Sequence, residues 1–459
     1  MPRSSGSRLL VGGFRGRYRA CTGEEPESSG RSGYRRSPHV VTQPDDFARV
    51  FPVGTVLSNR MSAVDRVSRT VTALRHDSPG RLLAALATGW FLVLGMRFVV
   101  PAVLPTIRAE FGVTNTSAGA AVTVLWLTYA AMQFPAGVYV DRIGERALLV
   151  GSALLSGAAL LGYLVSPTYA LFVVATAGFG LGTGIYGPPR GTVLSRTFDA
   201  NEGVAFGSVM AAGSVGSAVL PLVAVFVTTR YGWRIGLAAA VPLFGLVAVG
   251  LWLSVSDRET ATERRSLTAD IRTVLRGLGD RQLALAVLGA MLMLLVFQAV
   301  TAFLTTYLVT TRPIGQGAAG SFLSVLFVGG AVSQTATGRF ADRYGTPAVL
   351  VGVAVVSAVP LALFPLLEGS ILLGAGAVAI GIRMSAGPLV NAYIVDILPD
   401  AVEGTGWGLL RTGFFAVGSL GSTFIGAFAD RGLFDASFYL MAGFTLLAGV
   451  LFVLLPKRE

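Results

Sequence analysis

Reactive and metal-binding side chains are nearly absent from this chain of 459 residues. Cys21 is the single cysteine, which excludes an intrachain disulfide and a cysteine metal site. The two histidines, His39 and His76, both precede the first long apolar run, so the chain has almost no side chains of the types that usually bind transition metals. We therefore expect no metal and no cofactor. An enzyme with a membrane-embedded site of histidine, cysteine or paired carboxylates is disfavoured as well.

Charge is also scarce. Charged residues make up only 13% of the chain, against 53% hydrophobic residues, and the mean hydropathy is +0.66. A water-soluble shell cannot hide that much apolar surface, so the composition indicates an integral membrane protein. The fold class that follows is an all-α helical bundle, because a helix satisfies its own backbone hydrogen bonds in lipid.

The formal net charge is +11, which raises the question of a nucleic-acid partner. The basic residues are spread along loops and an N-terminal tail rather than gathered on one soluble face, so they are better explained by membrane topology. The expected partners are a small-molecule substrate and membrane lipid, with no nucleic acid. We expect a monomer.

Residues 1–80 form a basic tail rich in Arg, Ser, Gly and Pro, and this composition predicts disorder. The tail lacks the apolar segment of a secretory signal peptide. Two alternatives stay open. The first 23 residues are arginine-rich and acid-free, like an organellar transit peptide, and Met61 is an alternative start that would place the upstream stretch outside the true protein.

Apolar runs separated by Gly, Pro and charged residues predict twelve transmembrane helices in two six-helix bundles. The predicted ranges are 82–104, 117–140, 147–165, 169–195, 203–228, 233–255, 282–308, 318–340, 347–366, 371–396, 405–428 and 435–455. The longest polar interruption between helices predicts a linker at 257–281, between an N-terminal bundle at 81–256 and a C-terminal bundle at 282–459.

Basic residues are divided unequally between the two sides of the predicted bundle. One side holds Arg142, Arg146, Arg196, Arg258, Arg264, Arg265, Arg272, Arg276, Arg281, Arg343, Lys457 and Arg458, and the other holds Arg108, Arg230, Arg234, Arg312 and Arg431. Because positive loops stay in the cytoplasm, this bias predicts a multi-pass protein of the plasma membrane with both termini and the linker inside.

The two halves repeat each other at an offset of 201 residues. Shifted by that amount, Gly137, Asp141, Arg142 and Gly144 fall on Gly338, Asp342, Arg343 and Gly345 without a gap. Parallel six-helix repeats are the design of carriers in which two halves rock about a midplane site. A transporter is the function this architecture favours.

The sequence resembles the major facilitator superfamily from about Leu82 to the C-terminus. The resemblance rests on the loop after the second helix, Gly137-Val-Tyr-Val-Asp141-Arg142-Ile-Gly144-Glu145-Arg146. Gly137 is suited to close helix approach, Asp141 to facing a helix N-terminus, and Gly144 to a tight turn. Glu145 departs from the family, which usually has a base there. The second copy is degraded, because Thr346 and Pro347 follow Gly345.

The resemblance implies rocker-switch alternating access and a role for this loop as a gate. In the family, the aspartate engages the cytoplasmic start of the eleventh helix in the outward-facing state. Arg411 lies one turn into that helix here, so we predict an Asp141 to Arg411 contact that closes the cytoplasmic gate. The alternative is a loop that fixes topology through its charge alone.

In this fold the first, fourth, seventh and tenth helices line the central cavity, so ionisable residues within them are candidate substrate ligands. The candidates are Arg97, Arg190, Gln298, Arg383 and Asn391. Arginines without a clearly placed acid among them predict an electropositive cavity and an anionic solute, such as a carboxylate. The alternative is that individual arginines pair with helix ends or backbone carbonyls.

Other functions stay open at this stage. A drug/proton antiporter of the same superfamily typically carries a Gly-Pro step in the fifth helix, but here Gly213 and Gly216 are followed by Pro221 without that step. A sugar/proton-coupled transporter and a transporter-like membrane sensor are further alternatives. Proton coupling usually needs an acid inside the membrane, and Asp396 is the only candidate.

Overall fold

The computed structural model describes residues 78–256, 280–398 and 403–456. Within these ranges, twelve helices are long and apolar enough to cross a membrane, as the apolar runs predicted. The predictions for the tail, for Met61 and for the interior of the linker concern residues outside the described ranges. The twelve spans, numbered α1 to α12, are Ser78–Phe111, Asn115–Ile143, Glu145–Leu164, Tyr169–Thr197, Glu202–Tyr231, Trp233–Ser254, Arg281–Thr311, Gln316–Tyr344, Thr346–Leu366, Ser370–Ile397, Glu403–Asp430 and Phe434–Val453.

Several spans are longer than the apolar runs alone indicated, because polar turns continue the helix beyond the hydrocarbon core. We call the side on which α1 and α7 begin and α12 ends the terminal face, and the other side the opposite face. Gly144 ends α2 with a φ of +87° and Gly345 ends α8 with a φ of +82°, both in the left-handed region that glycine adopts readily. These are the tight turns that the repeated loop predicted.

Two of the spans that were predicted to line the central cavity, α4 and α10, are interrupted. In α4 the regular helix stops at Ile185 and restarts at Gly187, just before Pro188 and Pro189. The tenth helix was predicted over 371–396, and the span is confirmed at Ser370–Ile397, but a 3₁₀ segment at Ile382–Ser385 divides it. Arg383 therefore lies in a break rather than in a regular helix. Irregular backbone is tolerated at membrane depth where it is buried in protein or lines a cavity.

The two halves contact each other through α2 with α11 and through α5 with α8. Near the opposite face, Asp430 at the end of α11 accepts hydrogen bonds from the backbone amides of Asn115 and Thr116, both at 2.8 Å, and from the Thr116 hydroxyl at 2.6 Å. A Cβ placed on Gly320 of α8 would lie 2.9 Å from Val225 of α5. The described structure is therefore closed at its opposite face.

Candidate functional site

Arg97 lies near the middle of α1 with only 1% of its surface exposed. Its Nε donates to the carbonyl oxygen of Val93 at 3.0 Å, one turn earlier. Its guanidinium carbon lies 4.2 Å from the ring centre of Tyr129 and 5.1 Å from that of Trp126. Nη2 is buried and has no hydrogen-bond partner among the described residues. The aromatic rings thus hold a buried cation that keeps a free donor.

Arg190 lies just after the break in α4 and is 7% exposed. Its guanidinium carbon lies 3.9 Å from the ring centre of Trp90, which also lies 5.4 Å from Arg97. Nε and Nη1 of Arg190 are buried without a partner in the described structure. The Trp90 ring therefore contacts two arginines that come from different helices. Gly213 of α5 makes room for this ring, because a Cβ at Gly213 would lie 2.4 Å from the indole.

Arg411 of α11 belongs to the second half of the molecule and also contacts these aromatic residues. Its Nη2 donates a long hydrogen bond of 3.5 Å to the Tyr129 hydroxyl, and its guanidinium carbon lies 5.8 Å from the Phe415 ring centre. We name Trp90, Arg97, Tyr129, Arg190 and Arg411 the arginine–aromatic cluster. It crosses the interface between the halves, since Arg411 comes from the second repeat.

Arg383 and Asn391 line a cavity of about 180 Å³ together with Arg411. Arg383 is 3% exposed and donates through Nη2 to the carbonyl oxygen of Met293 at 2.8 Å, while Nη1 has no partner among the described residues. Gln298 is fully buried, and neither of its side-chain polar atoms has a partner there. Gln298 does not line this cavity.

The 201-residue offset also shows which candidate residues occupy equivalent positions in the two halves. Arg97 corresponds to Gln298, and Arg190 corresponds to Asn391. The first half thus supplies guanidinium groups where the second half supplies amides. Arg383 and Arg411 have no such counterparts, because Gly182 and Met210 stand at the related positions.

The charge balance of this region is one-sided. No acidic side chain lines the cavity. Glu145 and Glu110 pair with Arg196 and Arg234, which are other arginines. An ionised group removed from water is costly unless it is paired and hydrogen-bonded. Buried guanidinium donors without a partner are groups that an anion can satisfy, because Arg binds carboxylate or phosphate through two parallel N–H bonds.

The loop motif lies at the terminal face, away from this cluster. Asp141 and Arg142 are exposed, and the described residues show no contact between Asp141 and Arg411. Gly137 was expected to allow close helix approach, but in this conformation a Cβ there would meet no atom within 4 Å. The α2 and α11 helices contact each other at the opposite face through Asp430, and also nearer the terminal face, where the Thr412 hydroxyl donates to the carbonyl oxygen of Ala130 at 3.3 Å.

The rest of the motif fastens neighbouring helices. Arg146 donates through Nε to the carbonyl oxygen of Val255 at 2.8 Å and lies over the Trp252 ring at 5.0 Å. Glu145, the departure from the family pattern, is 1% exposed and pairs with Arg196 at 3.0 Å. The acid thus joins the start of α3 to the end of α4.

The second copy of the motif makes fewer contacts. Asp342 and Arg343 are exposed, and Arg343 lies over the Tyr344 ring at 5.3 Å. A Cβ added at Gly338 would meet no atom within 4 Å, as at Gly137. Only Gly345, through its positive φ, has a structural reason to be glycine here.

Sequence reasoning missed the aromatic part of the site. Trp90, Trp126, Tyr129 and Phe415 surround the arginines, but aromatic residues in apolar helices are common and indicate no site by themselves. The available signal was spacing: Trp90 and Arg97 are seven residues apart, and Arg411 and Phe415 four apart, so each pair shares a helix face.

Two helical halves around a buried polar centre define a membrane transporter architecture. The chain belongs to the Major Facilitator Superfamily, whose family model matches residues 86–421 and 314–459.

Its relatives include the uncharacterized MFS-type transporter YfnC of Bacillus subtilis, 24% identical over 79% of this chain and 90% of that protein. The fosmidomycin resistance protein of Escherichia coli is 24% identical over 82% of this chain and 93% of that protein. Among solved structures, a variant of the nucleoside transporter NupG has the same fold, with a TM-score of 0.69 and 15% identity over 81% of this chain and 99% of that one.

Proposed function

We propose that this transporter carries a small anion, such as a carboxylate, by alternating access, with Arg97, Arg190, Arg383 and Arg411 as its ligands. The observation that carries the proposal is the set of unpartnered guanidinium donors. Arg97, Arg190, Arg383 and Arg411 each keep at least one buried nitrogen without a hydrogen-bond partner in the described structure. An anion supplies both the missing acceptors and the missing negative charge.

Arginine is better suited to this role than lysine. Its guanidinium group stays charged when buried and offers a planar fork of donors. The aromatic rings of Tyr129 and Trp90 lie against the guanidinium groups of Arg97 and Arg190 and orient them. The N–H groups of these arginines that have no partner remain available to an anion. Gln298 and Asn391 add neutral donors and acceptors at the related positions of the second half.

The proposed cycle alternates between two sets of contacts. In the described conformation, α2 and α11 are held at the opposite face by Asp430. In the alternative conformation, Asp141 and Arg411 meet and close the terminal face. The excess of arginine in the loops of the terminal face supports a cytoplasmic location for that face. In this proposal the described conformation is the inward-facing one, and the protein acts in the plasma membrane as a monomer.

A second candidate function is drug export. It is favoured by the similarity to the fosmidomycin resistance protein over most of both chains. The structure assigns the glycines of α5 a packing role, since a Cβ on Gly216 would lie 2.2 Å from the carbonyl oxygen of Phe91. Those glycines therefore do not favour an antiporter over a simple carrier.

The test is uptake by proteoliposomes containing the full chain, with a panel of small anions and their neutral and cationic analogues. We expect anions to be carried, and Arg97→Gln and Arg383→Gln each to weaken uptake roughly tenfold or more, because hydrogen bonds to a charged group contribute about 1.5–3 kcal/mol. Arg230→Gln is the matched control, since Arg230 is exposed at the end of α5. Transport of neutral or cationic compounds with both variants fully active would contradict the proposal.

A further inference from the structure

The cavity beside the arginines is mostly apolar. Arg383, Asn391 and Arg411 are its only polar side chains, and the remaining lining is aliphatic, aromatic or thioether. Its larger apolar members are Met293, Leu294, Phe297, Met384, Val390 and Phe414. A site for a fully hydrophilic anion would present polar groups on several walls, because every hydroxyl that loses water needs a new partner.

The polar and apolar parts of the region lie side by side. Arg411 belongs both to the cavity and to the arginine–aromatic cluster, through its contact with Tyr129. Phe415 also joins them, since it lines the cavity and stacks on Trp126 with ring centres 5.8 Å apart. A bound molecule can therefore place one end at the guanidinium groups and the other among the methionine and phenylalanine side chains.

The size of the cavity limits the apolar end. Its volume is about 180 Å³, and an apolar cavity of about 150 Å³ in another protein holds one benzene molecule. Methionine sulfur also makes favourable contacts with aromatic rings, and Met293 and Met384 both line this space.

From this we infer that the substrate is an amphipathic anion: a carboxylate-type head bound by the arginines, and an apolar body about the size of one aromatic ring held in the cavity of the second half. This inference rests on the proposed anion transport and narrows it to a chemical class. It assigns Met293, Phe297, Met384 and Phe414 to substrate selection.

The experiment is competition against radiolabelled benzoate bound to the full chain in lipid nanodiscs. The competitors are acetate, butanoate, hexanoate, benzoate, dodecanoate and neutral benzamide. We expect affinity to rise roughly fourfold for each buried methylene up to hexanoate and benzoate, and then to fall for dodecanoate, which exceeds the cavity.

A substitution that fills the cavity isolates the effect of its volume. Gly387 lines the cavity, and a Cβ there meets no atom within 4 Å, so Gly387→Leu adds bulk into free space. We expect this variant to weaken benzoate binding at least tenfold and acetate binding much less. Gly443→Leu is the matched control, because Gly443 lies in α12 with equally open surroundings and does not line the cavity.

The outcomes separate the two proposals. Equal competition by benzamide and benzoate, or no binding of any carboxylate, would overturn anion transport itself. Binding of all carboxylates with equal affinity, acetate included, would leave anion transport standing and overturn the amphipathic substrate. Affinity that keeps rising to dodecanoate would overturn the size limit and point to a lipid-like anion. Unchanged benzoate affinity in Gly387→Leu would remove this cavity as the binding place.

Discussion

At the scale of single residues, the main feature is how buried arginines are accommodated without carboxylates. Arg97 lies within about 5.4 Å of three aromatic ring centres and Arg190 within 3.9 Å of one. Desolvated contacts of this kind contribute about 2 kcal/mol or more. The rings offset part of the cost of burying the cations, while some of their N–H groups keep no hydrogen-bond partner among the described residues.

Glu145 shows the opposite situation, a buried acid whose partner is present. Glu145→Gln removes the charge that pairs with Arg196 at 3.0 Å, and we expect it to lower the free energy of unfolding by about 1–2 kcal/mol, because Arg196 is partly exposed. Glu145→Arg, which restores the base usual in the family, should cost more by placing two cations together. Thermal unfolding of the purified protein measures both, with Glu202→Gln on the exposed start of α5 as control. Unchanged melting temperatures would show that the pair does not stabilise the fold.

At the scale of elements, close helix contacts and helix breaks position the site. Gly95 of α1 and Gly216 of α5 bring two backbones together, since a Cβ on Gly95 would lie 2.5 Å from the Gly216 carbonyl oxygen. Small residues drive such contacts in membranes, where lipid competes for apolar surface. The breaks in α4 and α10 lie beside Arg190 and at Arg383, respectively. The glycine contact and the helix breaks both lie close to the buried arginines.

Two glycines of α5 give a matched test of this packing. Gly216→Ala should separate α1 from α5, because its Cβ would lie 2.2 Å from the carbonyl oxygen of Phe91, and backbone cannot move aside cheaply. Gly207→Ala meets no atom within 4 Å and should stabilise the helix by about 0.5–1 kcal/mol. Melting temperatures of the two variants should therefore move in opposite directions. Equal shifts would mean that α1 and α5 are not held by this contact.

At the scale of the whole molecule, the two ends of α2 and α11 have related chemistry. Asp430 at the end of α11 accepts the first amides of α2 at the opposite face. Asp141 at the end of α2 is the residue predicted to engage α11 at the terminal face. The Asp430 carboxylate faces the N-terminus of α2, where a negative charge is favoured. In the proposed cycle, rocking about the centre exchanges this contact for one between Asp141 and α11.

Cross-linking can measure this exchange. In a Cys21→Ser background, we place cysteines at the closed opposite face with Val225→Cys and Gly320→Cys. The Cβ positions are 3.4 Å apart, close to the lower end of the range of about 3.5–4.5 Å that disulfides need. Asp430→Ala should slow the cross-link roughly three- to tenfold, because about 0.6–1.4 kcal/mol of closing interaction is lost, whereas Asp141→Asn should speed it. Arg431→Ala is the neighbouring control. Equal rates in all variants would contradict the exchange.

The gate itself is tested directly by cysteines placed at Asp141 and Arg411. We expect a cross-link only in the conformation closed at the terminal face, because the described conformation holds Arg411 against Tyr129 instead. Trapping the opposite face shut with the Val225 and Gly320 pair should therefore abolish it. Cross-linking at equal rates with and without that trap would contradict the prediction that Asp141 and Arg411 meet when the terminal face closes.

Much of the fold was predictable because membrane crossing depends on the composition and length of local segments. Twelve apolar runs needed no knowledge of their neighbours to be recognised, and the 201-residue offset was visible in punctuating residues such as Asp141 and Asp342. The division of α10 at Ile382–Ser385 was missed, because no proline or charge other than Arg383 marks that segment.

The amino-acid sequence alone determined that this chain has twelve apolar spans in two repeated halves, and that arginines lie within those spans, since the capacity to span a membrane follows from each segment's own length and composition. Only the tertiary structure decided which groups surround those arginines. Trp90, Tyr129 and Arg411 come from three different helices, and their meeting depends on helix rotation and close packing at glycines such as Gly213. These are properties of contacts between segments, and no single segment encodes them.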